Sequence, residues 1–337
     1  MNSYERTFHR LRGEPVDRPP NFDIFMTFAA HFIHQPLSRY YLDYHVLCDA
    51  NLAVQQAFGL DIVQVISDPY REAADFGLQV DFPEDWLPIR KAPLLADPAD
   101  LAHLPRPNPS TGRRMSDRLE AVRRLHEQVG GEIPVMGWVE GALAEAVDLR
   151  SLADIATDLY DRPEWLVELL ERCTEVELAF ARAQVAAGAD IIGLGDAAAS
   201  QISPKLYRQF ALPYEQRIFA AVHEMGALTR LHICGNTTRA LPDMAQSGAD
   251  IIDLDWMVDL RQAVQVFGLL GPAPCGNFDP VAVMFQGTPV QVRQAAFDCL
   301  DWGGPRSFSA AGCEIPDATP RANLLAQKQA LADYFHR

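Results

Sequence analysis

The fold prediction rests on residues 187–196, AGADIIGLGD, whose pattern returns at residues 247–256 as SGADIIDLDW. In each segment a glycine ends a helical pattern, a short apolar run follows, and acidic residues come last. Residues 57–68 (AFGLDIVQVISD) and 225–234 (MGALTRLHIC) also run from a glycine through an apolar stretch into polar residues. A glycine just after a helix, followed by a β-branched run, is typical of an αβ unit that returns into a parallel sheet. We therefore expect polar residues at the carboxyl ends of these strands.

Strands and helices alternate along most of the chain. Further predicted strands lie at residues 133–138, 274–277 and 306–310. The predicted helices cover residues 113–129, 163–187, 204–225, 237–246, 260–267, 289–300 and 321–335. This alternation favours an α/β fold, a (β/α)8 TIM barrel in which one strand is missed or distorted. An open doubly wound sheet is the alternative, but no glycine-rich phosphate fingerprint follows the first strand.

We expect residues 1–337 to form one barrel domain with two additions. Residues before about 58 carry mixed helical patterns, and we predict that they wrap the barrel or cap its mouth. Residues from about 81 to 110 are rich in proline and show no periodicity. We interpret this segment as an excursion from the barrel, because patterned units continue on both sides of it.

Composition and charge exclude several classes of protein. The 337 residues carry a net charge of −16 and are 48% hydrophobic, which fits a globular chain with a sizeable core. The acidic balance argues against nucleic acid or an anionic membrane as a partner. The chain shows neither a signal-peptide pattern nor a membrane span, so we predict a cytoplasmic protein. Its six cysteines are scattered and do not suggest a disulfide framework.

A candidate metal site begins with His232 and Cys234. Because side chains alternate along a strand, both point to one face at the end of their predicted strand. Cys313, in a glycine-flanked loop near the C-terminus, supplies a third ligand if the barrel brings it to the pair. A His-Cys-Cys set favours Zn²⁺ and leaves one coordination position open, as in catalytic zinc sites. Cys275 is the rival third ligand, and two buried structural cysteines with a core histidine are the simpler alternative.

Polar residues at the other strand ends are candidates for catalysis or substrate binding. In a TIM barrel the functional groups gather at the carboxyl ends of the strands. This rule selects Asp68, Glu140, Asp196, Asp255 and Asn277. Acidic residues at such positions also cap helices or bind loop amides, so capping competes with catalysis for Asp68 and Asp196. Glu140 lies in a glycine-bracketed loop, and we expect it to contact or support the substrate.

Several segments resemble the uroporphyrinogen decarboxylase superfamily over nearly the whole chain. They are RGEPVDRPP (12–20), ISD (66–68), LPY (212–214), DW (255–256), GNFDP (276–280) and GCEIPDATP (312–320). The resemblance implies a (β/α)8 barrel. The decarboxylases of this superfamily carry an arginine-rich motif that grips substrate carboxylates, whereas residues 22–31 here, FDIFMTFAAH, contain no arginine. The expected mouth of the barrel is acidic instead.

The metal motif is similar to that of another branch of the superfamily. His232-x-Cys234 with the distant Cys313 resembles the zinc motif of corrinoid-dependent methyltransferases, including methylcobamide:coenzyme M methyltransferases. This resemblance implies a bound Zn²⁺ and a corrinoid (cobalamin) carried on a separate protein. The expected function is methyl transfer between that corrinoid and a small-molecule donor or acceptor, across an exposed rim formed partly by the N-terminal segment and the proline-rich excursion.

Two other functions remain open from the sequence. The first is a uroporphyrinogen decarboxylase, a lyase that needs no cofactor, with Asp68 acting on the pyrrole nitrogens. The second is a non-catalytic accessory protein that binds zinc or a corrinoid. The identity of the methyl donor or acceptor and the direction of transfer are not specified by the residues, because specificity depends on the shape of the pocket.

Overall fold

Six parallel strands form the main sheet in a computed structural model that describes residues 1–337. They are β1 (Val63–Gln64), β4 (Val135–Glu140), β5 (Ile191–Gly195), β6 (Leu228–His232), β7 (Ile251–Asp253) and β8 (Ala273–Cys275). Their order in the sheet is their order in the chain. The remaining strands, β2 (Val80–Asp81) and β3 (Ile89–Arg90), form a separate antiparallel hairpin within the proline-rich segment.

Two short stretches without regular strand hydrogen bonding close the sheet into a barrel. Phe308 pairs with Cys275 of β8, and the following residue, Ser309, pairs with Asn21. The Asp61 amide donates to the Asn21 carbonyl oxygen at 2.9 Å. Because Asp61 lies just before β1, this hydrogen bond closes the ring of strands. The barrel strand that the sequence analysis did not predict is therefore the stretch around Asn21. The N-terminal segment supplies part of the barrel wall as well as helices, which the expectation of a helical wrap did not include.

Fifteen α-helices surround the barrel and its mouth. They are α1 (Ser3–Leu11), α2 (Thr27–Phe32), α3 (Leu37–Leu42), α4 (Tyr44–Phe58), α5 (Arg71–Phe76), α6 (Arg113–Val129), α7 (Ala142–Leu149), α8 (Leu152–Asp161), α9 (Pro163–Ala186), α10 (Pro204–Phe210), α11 (Leu212–Glu224), α12 (Leu241–Met244), α13 (Leu260–Phe267), α14 (Pro289–Gly303) and α15 (Arg321–Asp333). No helix combines the length and the apolar character that crossing a lipid bilayer requires.

Local chemistry sets several helix boundaries. Gly59 ends α4 in the left-handed conformation, with φ 70° and ψ 42°, which lets the chain turn into β1. The predicted helix at 204–225 is interrupted at Ala211, because Pro213 cannot donate the hydrogen bond that a continuous helix needs. The helix predicted at 237–246 is reduced to the single turn of α12.

The apolar core has two layers, one on each side of the strands. The larger lies between the sheet and the helices, and a smaller cluster that includes Phe22, Trp138 and Phe308 fills the barrel interior. Arg230 is also buried inside the barrel, where its Nε lies 2.8 Å from Asp253 Oδ1. Because the interior is packed in this way, the accessible cavity lies at the carboxyl ends of the strands.

Candidate metal centre

Three side chains of types that commonly bind metal ions converge at the carboxyl end of the barrel. His232 is the last residue of β6, Cys234 follows two residues later, and Cys313 lies in the loop after Ala311. His232 Nε2 lies 2.9 Å from Cys234 Sγ and 3.9 Å from Cys313 Sγ, and the two sulfur atoms are 3.6 Å apart. The fold thus brings the three predicted ligands to one point.

Asp253 orients the imidazole of His232. It lies directly opposite His232 in the register of β6 and β7, and its Oδ2 is 2.9 Å from His232 Nδ1. Burial raises the pKa of Asp253, but Arg230 and His232 outweigh burial and hold it below the usual range. The ionised Asp253 accepts a hydrogen bond from Nδ1–H, which turns Nε2 towards the two sulfurs, the arrangement found behind metal-bound histidines.

The donor set fits zinc in chemistry and in spacing. Zinc bonds of about 2.3 Å to sulfur and 2.0–2.1 Å to nitrogen give tetrahedral edges of about 3.8 Å between sulfurs and about 3.6 Å between sulfur and nitrogen. The Sγ–Sγ separation of 3.6 Å and the distance of 3.9 Å from His232 to Cys313 both lie near these values. The distance of 2.9 Å from His232 to Cys234 is shorter. A hydrogen bond from Cys234, with the neighbouring His232, lowers the pKa of Cys313 to about 4, which favours the thiolate form that binds a metal ion.

Asp255 and Asn277 organise the loops that carry the cysteines. Asp255 Oδ2 accepts a hydrogen bond of 2.8 Å from the Gly235 amide, just after Cys234. The Asn277 side-chain amide donates to the carbonyl oxygens of Asp255 and Val258 at 3.0 and 2.7 Å. Neither residue lines the cavity beside the cysteines. The structure therefore places these two predicted substrate-binding residues behind the metal ligands.

A cavity of about 390 Å³ opens beside the three ligands. His232, Cys234 and Cys313 form one wall, and Asp68 and Glu140 lie in the lining as predicted from the strand-end rule. The apolar part of the lining includes Ile24, Met26, Ile66, Leu87 and Trp138. A small organic molecule with an apolar body fits such a wall next to a metal ion.

Two buried arginines accompany the cavity acids, and the sequence analysis missed both. Arg71 Nη2 donates to Glu140 Oε1 at 2.6 Å, and its Nη1 donates to the Asp68 carbonyl oxygen. Arg114 Nη2 donates to Asp68 Oδ2 at 2.6 Å. Each arginine occupies the first turn of a helix near the mouth and carries no recognisable motif, so only its proximity to an acid in the fold reveals its role.

The paired acids differ in their protonation. Burial raises the pKa of Asp68, but Arg114 and Arg71 outweigh it, so the pKa lies below the usual range and Asp68 is ionised. Burial raises the pKa of Glu140 to about 7, although the neighbouring Arg71 acts in the opposite direction. Burial therefore favours the protonated form of Glu140 more strongly than that of Asp68.

The other two predicted candidates lie elsewhere. Asp196 is fully buried and does not line the cavity, and its Oδ1 accepts a hydrogen bond of 3.0 Å from the Ala144 amide at the start of α7. This is the capping role that the sequence left as its alternative. Cys275 is buried inside the barrel, 3.8 Å from Arg230 Nη2, and is absent from the cluster of metal-binding side chains.

The rim of the cavity combines the N-terminal segment with the proline-rich excursion. Met26 and Thr27 of the N-terminal segment border the cavity, as do Leu87 and Pro88, which lie between β2 and β3. Trp86, next to Leu87, is 66% exposed. The mouth thus carries exposed apolar side chains from the two segments that the sequence analysis assigned to the rim.

Comparison with known proteins identifies the relatives of this chain. It is 31% identical to the methylcobamide:CoM methyltransferase MtbA of Methanosarcina acetivorans, over 98% of this chain and 97% of that protein. It is 30% identical to the uroporphyrinogen decarboxylase of Nostoc punctiforme, over 87% of this chain and 86% of that protein.

A solved structure of a methyltransferase from Methanosarcina mazei superposes with a TM-score of 0.90 at 26% identity, and the match covers the whole of both chains. This close likeness confirms the predicted α/β barrel. The profile of the family described as Uroporphyrinogen decarboxylase (URO-D) matches residues 2–334. The chain therefore belongs to the uroporphyrinogen decarboxylase family.

Proposed function

We propose that this protein is a zinc-dependent methyltransferase that moves a methyl group between a corrinoid (cobalamin) on a separate protein and a small-molecule donor or acceptor. One observation carries the proposal: His232, Cys234 and Cys313 form a three-ligand set in the wall of a solvent-accessible cavity. A catalytic zinc site has such a set and keeps a position for substrate. The similarity to a methylcobamide:CoM methyltransferase supports this function.

Each part of the site has a role in this chemistry. When bound, zinc acts as a Lewis acid that lowers the pKa of a substrate thiol or polarises the atom that carries the methyl group. His232, Cys234 and Cys313 would hold the metal, and Asp253 orients the His232 ring so that Nε2 faces the metal site. The apolar lining, which includes Ile66 and Trp138, excludes water from the transferring methyl group.

The rim suits a corrinoid protein as partner. A corrinoid is too large for a cavity of about 390 Å³, so its cobalt face must approach the mouth from outside. Trp86 and Leu87 are exposed there, between β2 and β3. Exposed apolar side chains at the edge of an active site are a common feature of protein interaction surfaces. We propose that the corrinoid protein docks against this edge.

The decarboxylase alternative finds less support in the cavity. A substrate with many carboxylates needs free cationic groups. The Arg71 guanidinium is already bonded to Glu140, and the Arg114 guanidinium is bonded to Asp68. A metal-binding triad is also unnecessary for a reaction that uses no cofactor. The methyltransferase assignment accounts for both features.

Methyl transfer in both directions tests the proposal. Zinc-loaded protein is mixed either with methylcobalamin and a thiol panel, or with reduced cobalamin and a panel of methyl donors. Cobalamin absorption then reports loss or gain of the methyl group. We expect turnover with at least one partner, at least a 100-fold loss in Cys313→Ser, and wild-type rates in the buried control Cys275→Ser. Decarboxylation of uroporphyrinogen by the metal-free protein would contradict the proposal, and zinc binding without any methyl transfer would favour the accessory role.

A further inference from the structure

Acidic side chains outnumber basic ones in the lining of the cavity. Asp68, Glu140 and Glu314 contribute carboxyl side chains to the lining, whereas Arg71 is the only arginine or lysine among the lining residues. Asp68 is ionised, since Arg114 and Arg71 hold its pKa below the usual range. Bound zinc and the two cysteine thiolates would cancel, so the metal centre adds no net positive charge. The small molecule therefore meets an acidic wall.

The positive charge of Arg71 is already matched by neighbouring acids. One terminal nitrogen donates to the Asp68 carbonyl oxygen and the other to Glu140 Oε1. Its Nε lies 3.5 Å from Glu72 Oε2, within the range of an ion pair. Even if Glu72 and Glu140 share one proton, the remaining carboxylate neutralises this guanidinium. Arg71 thus serves to hold the acids rather than to receive a ligand.

Two other cationic groups near the mouth, Arg114 and His31, are also paired with acids. Arg114 stands behind Asp68 and does not line the cavity. At the rim, the nitrogens of His31 lie 2.8 Å from Asp317 and 3.3 Å from Asp85. An anionic group on the ligand would therefore find carboxylates without a free cationic partner, whereas a cationic or neutral group would not be repelled.

We infer that the small molecule handled at the metal centre is neutral or cationic, in contrast to an anionic thiol such as a sulfonate. This inference rests on the proposed function and narrows its substrate class. Aromatic side chains at Tyr41, Tyr70 and Trp138 in the same wall favour an apolar or quaternary-ammonium body over a sulfonate. The difference is notable because a relative is named for methyl transfer to CoM.

Three thiols of similar length isolate the effect of ligand charge. They are 2-mercaptoethanesulfonate, which is anionic, 2-mercaptoethanol, which is neutral, and thiocholine, which is cationic. A thiol binds the open position of a His-Cys-Cys zinc site whichever way the methyl group moves. Isothermal titration of the zinc-loaded protein is expected to show the sulfonate binding at least tenfold more weakly than the other two. Equal or tighter binding of the sulfonate, or no binding of any thiol, would overturn the inference.

A matched pair of variants tests the role of Arg71. Glu140→Gln removes the carboxyl oxygen that Arg71 Nη2 contacts, which releases that nitrogen for a ligand, and is expected to strengthen sulfonate binding about tenfold, with little change for the neutral thiol. Glu314→Gln also removes an acidic group but frees no guanidinium, so it is expected to have a smaller effect. Unchanged sulfonate binding in folded Glu140→Gln would contradict this explanation.

The binding assay separates this inference from the proposed function. Methyl transfer from methylcobalamin is measured on the same zinc-loaded preparations. If the three thiols bind in the predicted order but none is methylated and no methyl donor reacts, the methyltransferase assignment fails and the charge preference stands. If transfer occurs and the sulfonate is the best acceptor, only the charge preference fails.

Discussion

His232 and Asp253 face each other across neighbouring strands, with Nδ1 and Oδ2 2.9 Å apart. The contact fixes which imidazole nitrogen is available to a metal ion. Arg230 holds the other side of the same carboxylate, with its Nε 2.8 and 3.0 Å from the two oxygens. A chain of three buried groups thus runs from the barrel interior to the metal site.

Replacing this carboxylate is expected to weaken zinc binding. Asp253→Asn removes the charged acceptor for Nδ1–H and should lower zinc affinity about 10- to 100-fold. Competition with a chromophoric chelator measures this change. Asp250→Asn is the matched control, since Asp250 bonds His223 Nε2 at 2.9 Å at the opposite end of the strands. Equal zinc affinity in the wild type and Asp253→Asn would contradict the role assigned to Asp253.

The loop that carries Cys313 depends on a glycine. A Cβ atom on Gly312 would overlap the backbone nitrogen of Trp256 and lie 3.0 Å from the Asp255 carbonyl carbon. Gly312→Ala is therefore expected to displace Cys313, lowering zinc affinity as well as the free energy of unfolding, the latter by about 1–3 kcal/mol. Gly287→Ala creates a similar overlap with the backbone of Val283, away from the metal site. The control should lose stability but retain zinc affinity, and the same zinc affinity in both variants would argue against the loop's role.

The docking edge can be tested separately from the chemistry. Trp86→Ala is expected to raise the KM for a methylated corrinoid protein about tenfold, while turnover of free methylcobalamin stays unchanged. Leu270→Ala is the control, because Leu270 is 99% exposed in the loop that precedes β8, at the opposite end of the barrel. Parallel losses with the protein-bound and the free corrinoid would place Trp86 in the chemical site instead.

A buried acid next to the site makes stability depend on pH. Glu145 is fully buried, and neither of its carboxyl oxygens has a hydrogen-bond partner. Burial, with the neighbouring Glu72 and Asp148, raises its pKa well above the usual range. The folded chain keeps the proton where the unfolded chain loses it, so this residue lowers the free energy of unfolding as pH rises above about 4.3.

Glu145→Gln should remove that dependence. Urea unfolding is expected to show the variant gaining about 1–3 kcal/mol over the wild type near pH 8, and less near pH 5. Glu164→Gln, on the exposed first turn of α9, is the control and should change stability little at either pH. A constant difference between Glu145→Gln and the wild type at both pH values would contradict the raised pKa.

The barrel could be predicted because glycine-containing segments mark where its helices end and its strands begin. The GAD segments at 188–190 and 248–250 place β5 and β7 one residue later, and the amphipathic pattern of α6 ends just before Gly130, where the structure ends the helix. The strand at Asn21 was missed because it pairs only through an isolated bridge. It is too short to show the alternation of apolar and polar residues that identifies a strand. Pairing of that kind is decided by the rest of the barrel.

The metal ligands were also accessible from the sequence, whereas their support was not. Alternation along β6 brings His232 and Cys234 to one side. The role of Asp253 can be recognised only from the strand register that sets it opposite His232. Its alternation with Asp255 along the chain was a usable signal that both side chains point to one face. Arg71 and Arg114 required the packing of α5 and α6 around the mouth. Local patterns therefore identify ligands, and tertiary contacts determine what orients them.

The metal content of protein purified without chelator tests the central claim most directly. Elemental analysis is expected to find about one zinc ion per chain in the wild type and in Cys275→Ser. His232→Ala, Cys234→Ser and Cys313→Ser should each lose it while remaining folded by circular dichroism. Absence of zinc from the wild type after reconstitution, or loss of zinc in Cys275→Ser with retention in Cys313→Ser, would contradict the assigned metal centre.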